Sequence, residues 1–82
     1  MIVQLSNKEY NYLDHFLNQK QIWPMFQILR FGVESIDIQI DEDKAGDLWQ
    51  YLVEEVIYHL DSDYEPTETG KIIEALIDKF FF

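Results

Sequence analysis

Residues 35–41 read "SIDIQID", with Ile36, Ile38 and Ile40 on one side of an extended chain and Asp37, Gln39 and Asp41 on the other. Side chains of a strand alternate between two faces, so this is the period of a half-buried strand. Such a strand needs a partner and a layer over its apolar face. Residues 2–5, "IVQL", form a second, short β-prone run. Two strands alone are marginal in water, so helices are expected to cover one face, leaving a free edge that another strand or another copy of the chain can join.

Four helical segments are expected. Ser6 stands three residues ahead of Glu9, the spacing of a capping box in which each residue satisfies the other's otherwise unpaired N–H. A helix is therefore predicted from Asn7, burying Tyr10, Leu13, Phe16 and Leu17. Acidic "DEDK" should open a long helix from Asp43 to Leu60, with Ala45, Leu48, Trp49, Leu52, Val56 and Leu60 inward. Thr67 is placed to cap a last helix, Glu68 to Phe80, with Ile73, Leu76, Ile77 and Phe80 inward. Between the first helix and the strand, Pro24 suits a first helical turn and Gly32 a stop. These two signals predict a short further helix through Phe26, Ile28 and Leu29. The expected fold is thus α+β, a single domain over residues 1–82 in the order β-α-α-β-α-α, with a two-stranded sheet packed by helices.

Charge separates the two halves of the chain. Residues 1–33 hold Glu9 and Asp14 against Lys8, Lys20 and Arg30, a net of +1, whereas residues 34–82 hold 14 acids against Lys44, Lys71 and Lys79, a net of -11. A field of that sign repels phosphate backbones and anionic membranes and speeds encounter with basic partners. Direct binding of nucleic acid or membrane is not expected. No run approaches the ~20 apolar residues of a membrane span, the N-terminus lacks a signal-peptide pattern, and there are no cysteines. A cytoplasmic setting is the default.

Candidate chemistry is thin. Asp61, Asp63 and Glu65 match positions 1, 3 and 5 of an EF-hand loop, but Pro66 stands where the sharp turn needs Gly and Ile72 where the bidentate Glu belongs. No metal is expected there. His15 and His59 lack the spacing that puts two ligands on one helix face, and His59 is expected to be partly buried, His15 exposed. Ser6, Ser35 and Ser62 are accounted for by a cap, a strand start and a turn, with no nucleophile elbow around any of them. Gly32, Gly46 and Gly70 are too far apart to cradle a phosphate. No catalytic residue and no cofactor follow from the sequence.

A sharper feature lies on the predicted long helix. At 100° per residue, Asp47, Tyr51, Glu54, Tyr58 and Asp61 fall in a band about 80° wide, opposite the apolar stripe. Tyrosine supplies rigid contact area with a polar tip, and carboxylates beside it can pair with Arg or Lys of a partner. Asp63 and Glu65 extend this candidate partner-binding band. Phe81 and Phe82 rotate away from the last helix's apolar face, so they either fold back onto the core or offer a second surface for self-association.

The stretches "IVQLSNKEYNYL" and "DYEPTETGKIIEALIDKF" resemble those of small acidic bacterial and phage proteins of unknown function, some of them immunity- or inhibitor-like. The resemblance implies a stand-alone protein that works by binding another protein. Together these features predict a non-enzymatic acidic module that occludes a basic, nucleic-acid-binding protein surface. The second expectation is a homodimer, joined through a strand edge or the Phe81–Phe82 tail, whose acidity provides only solubility.

Overall fold

The computed structural model describes residues 1–22 and 26–81. Strand β1 (Ile2–Ser6) leads into α1 (Asn7–Gln19). Then come β2 (Phe26–Phe31), β3 (Ser35–Ile40) and α2 (Glu42–Val56). A 3-10 turn (Ile57–His59) and α3 (Glu68–Phe80) complete the order. The α+β class holds, but the sheet has three antiparallel strands in the order β1-β3-β2, and the element order is β-α-β-β-α-α.

The alternating strand sits at the centre of this sheet. Ile36, Ile38 and Ile40 are buried, and β1 lays Leu5 opposite Ile36 and Val3 opposite Ile38, so the two strands present one continuous apolar face. The first residue extends the ladder, with the Met1 amino group donating to the Ile40 carbonyl at 2.8 Å and Ile40 N–H to the Met1 carbonyl at 3.0 Å. Against this face come Leu13 and Phe16 of α1, Leu48 and Leu52 of α2, and Ile73, Leu76 and Phe80 of α3, in one hydrophobic cluster. Burial of this kind stabilises by ~25 cal/mol per Å² of apolar surface removed from water.

The starts of α1 and α3 fall where their caps put them. Ser6 Oγ accepts from Glu9 N–H at 3.2 Å while the Glu9 carboxylate accepts from Ser6 N–H at 2.7 Å, completing the capping box. Thr67 Oγ1 accepts from Gly70 N–H at 3.2 Å and opens α3 at Glu68. The end of α1 is a Schellman closure. Ile22 N–H donates to the Leu17 carbonyl and Gln21 N–H to that of Asn18, with Gln21 in the left-handed region at φ 57°.

Two predicted elements are corrected. The segment from Phe26 to Gly32 is a strand and a turn, not a helix, because pairing with β3 satisfies its backbone and Gly32 N–H closes the β2–β3 hairpin onto the Ser35 carbonyl at 2.9 Å. The proposed helix start at Trp23 and Pro24 lies outside the described residues. The long helix ends at Val56 rather than Leu60. Its last turn tightens into the 3-10 turn, and Leu60 bridges Pro66 antiparallel. Among the described residues no helix is long and apolar enough to cross a membrane.

Candidate functional site

The outer face of α2 forms one wall of a groove of about 620 Å³. Tyr51, Glu54, Glu55, Ile57 and Tyr58 line this wall, and Phe16, Lys20 and Ile22, from the end of α1 and the segment after it, line the other. A shallower concavity of about 180 Å³ adjoins it, lined by Asp47, Gln50, Tyr51 and Glu54. Tyr51 and Glu54 belong to both, so four of the predicted band residues, Asp47, Tyr51, Glu54 and Tyr58, share one continuous surface. All four are exposed, and Tyr58 keeps 80% of its area open to solvent.

The band does not run on to Asp61 as a helix face. Once α2 ends at Val56, Asp61, Asp63 and Glu65 belong to a separate loop. The Asp61 Oδ1 accepts from Asp63 N–H at 2.8 Å and Glu65 N–H at 3.0 Å. Its carboxylate therefore holds the loop, although Asp61, Asp63 and Glu65 are all exposed. Tyr64 occupies the left-handed position of this turn at φ 62°, where Gly is the usual residue, and is 84% exposed. Among the described residues no three His, Asp or Glu side chains converge to hold a metal ion.

Several groove residues were not singled out by sequence. Glu55 turns inward from Glu54 and is half-buried, and Lys20 reaches it across the groove with Nζ 3.9 Å from its carboxylate. A partly exposed pair at that distance contributes at most ~1 kcal/mol. It does set the groove's charge, because Lys20 cancels one of the two carboxylates and the surface is less acidic than α2 alone suggests. Behind this wall Tyr12 stacks on Phe16 with ring centroids 6.0 Å apart and meets the His59 ring edge-on at 6.5 Å. Burial, and then the negative charge of Glu55, push the Tyr12 hydroxyl up to about 12. His59 is half-buried and His15 exposed, as expected, although His59 sits in the 3-10 turn and not on the helix. Nothing in the local sequence marks Phe16, Lys20 or Ile22 as a groove wall. Their role follows from how the end of α1 meets α2.

Phe81 lies beside the Trp49 ring, centroids 5.9 Å apart, yet remains mostly exposed. Trp49 Nε1 is buried with no hydrogen-bond partner among the described residues. Phe82 lies outside the described residues.

Compared with known protein families, curated proteins and solved structures, the chain matches none of them.

Proposed function

We propose that this protein is a non-enzymatic, cytoplasmic binding module whose α2 face docks on a basic protein surface, in the manner of an immunity protein or a phage-type inhibitor that occludes a nucleic-acid-binding site. The supporting observation is the exposed surface shared by Asp47, Tyr51, Glu54 and Tyr58, set in the half of the chain that carries a net charge of -11. Two exposed tyrosines give rigid apolar contact beside carboxylates, the combination that suits Arg and Lys on a partner. A surface evolved for phosphate presents those cations already, so occlusion or partial mimicry of a nucleic acid needs no further chemistry.

The test is affinity capture on immobilised wild-type protein and on a Glu54→Lys, Tyr58→Ala double variant, with the retained protein identified by mass spectrometry and its binding then measured in purified form. A basic protein held at low salt, released as salt rises and lost by the double variant is the expected result. Equal retention by both, or retention indifferent to salt, overturns the reading. Asp61 is a poor site for this test, because its carboxylate holds its own loop together.

A further inference from the structure

The sheet order β1-β3-β2 leaves two edges, and they are treated differently. On β1, Lys79 Nζ donates to the Gln4 carbonyl at 2.9 Å and pairs with Glu9, so a charged side chain closes that edge. On β2, nothing among the described residues plays that part. The register sets Phe26, Ile28 and Phe31 opposite Ile40, Ile38 and Ile36, so all six point to the same side of the sheet. The β3 residues are buried there, but along β2 only Phe26 is half-buried against the core, and the rest of the strand is exposed. Ile28 is left 45% exposed, and Phe31 is 70% exposed despite the edge-on contact of Tyr10 at 5.9 Å. These are core-type residues on the core side of a sheet with too little core above them.

We propose that the free edge of β2 takes β2 of a second copy of this chain, antiparallel, joining two three-stranded sheets into one of six strands. A second copy meets less repulsion at this edge than across the acidic second half of the chain, and the other edge is already closed by Lys79. Residues 15–33 hold no carboxylate, whereas the chain as a whole is at -10, so two copies approach along β2 with the least repulsion. Two-fold symmetry supplies the match, because an antiparallel strand pair lays the row Phe26, Ile28, Phe31 against the same row of its twin, beneath the joined sheet. The bulge between Ile28 and Arg30 does not protect the edge as bulges often do, since its extra residue, Leu29, is apolar and exposed. A contact made by one edge strand should bury less than the ~800 Å² per partner of a standard interface, so monomer and dimer should exchange.

The chain has no cysteine, which makes single-cysteine variants clean reporters. Sedimentation velocity of the full chain over a concentration series should show a reversible dimer that strengthens with salt as self-repulsion is screened. Salt would weaken docking on a basic partner, so the two proposals fail separately. Under mild oxidation, Leu29→Cys should give disulfide-linked dimers, while Glu74→Cys on the exposed side of α3 should not. Ile28→Lys should lower the association constant about tenfold or more, since a charge on an edge opposes strand addition. If Ile28→Lys fails to fold by circular dichroism, the cysteine pair decides alone. A monomer at every concentration, or a dimer that crosslinks through Phe81→Cys and not Leu29→Cys, overturns the proposal.

Discussion

Gly70 lies directly against the carbonyl oxygen of His59, so close that a Cβ on Gly70 would stand 2.6 Å from that oxygen and 3.1 Å from Pro66 Cβ. The same oxygen accepts from Thr67 N–H at 2.9 Å and Thr67 Oγ1 at 3.0 Å, which fixes the start of α3 on the end of the preceding turn. A methyl group here meets backbone that cannot swing aside. Gly70→Ala should cost about 2 kcal/mol, the range of overpacked sites, read as a lower urea midpoint. Gly46, inside α2, has nothing within 4 Å of its Cβ position. Gly46→Ala should therefore raise the midpoint by up to about 1 kcal/mol through helix propensity. Equal effects of the two changes would refute the crowding argument.

Glu9 binds α1, β1 and α3 together. It is buried, it receives Ser6 N–H, and Lys79 pairs with it from 70 residues away. Burial alone would raise its carboxyl, but the bonds from Lys79 and Ser6 outweigh that and lower it below the ordinary 4.5. A carboxyl lowered on folding contributes stability that is full above its unfolded value and is lost as pH falls through the folded one. Wild type should thus lose stability below about pH 4.5 faster than Glu9→Gln does. At neutral pH the variant should be about 1 kcal/mol less stable, from the weakened cap and the lost ion pair. Taking the difference between the two proteins cancels the relief of general repulsion that acid gives a chain at -10. Parallel denaturation midpoints across this range would rule out the linkage.

Capping chemistry made α1 and α3 legible, because Ser6, Glu9 and Thr67 act within a few residues of themselves. β2 was misread for a local reason. Its bulge breaks the two-residue period after Ile28, so the next inward residue, Phe31, falls three positions on, which imitates a helix. Gly32 then looked like a helix stop, although its N–H closes a hairpin. The end of α2 carried no stop signal of its own, and Val56 and Leu60 continued a helical stripe that the Leu60–Pro66 bridge interrupts. Of the site, Asp47, Tyr51, Glu54 and Tyr58 were readable because one helix and its last tight turn carry them. Lys20 and Phe16 were not, since only tertiary packing brings the end of α1 across from α2.

Among the described residues, two side chains occupy left-handed backbone positions that Gly would hold without steric cost, Gln21 at φ 57° and Tyr64 at φ 62°. Gln21→Gly should stabilise the closure of α1 by up to about 1 kcal/mol. Tyr64→Gly should do the same for the loop after α2, since its exposed ring has little packing to lose. Both appear as higher thermal midpoints in calorimetry. A lower midpoint for Tyr64→Gly would mean that its ring contributes more to the fold than its exposure implies.

Tyr12 connects the groove to alkaline stability. Burial and the charge of Glu55 raise its hydroxyl from 10.0 to about 12, so the folded state holds the neutral phenol against ionisation. A group raised on folding contributes stability that is complete below its unfolded value and is lost as pH rises through the folded one. Stability should fall between about pH 10 and pH 12 more steeply in wild type than in Tyr12→Phe, measured as urea midpoints. Glu55→Gln should bring the Tyr12 ionisation down toward that of an ordinary tyrosine, visible in the phenolate absorbance as a late component moving earlier. This coupling has a functional corollary. A cation of a docked partner beside Glu55 offsets that charge while the partner's cover adds burial, so binding in this groove should shift Tyr12 ionisation, earlier where the cation dominates and later where burial does. If a basic partner binds tightly and leaves the Tyr12 titration unmoved, it docks on some other part of the acidic surface.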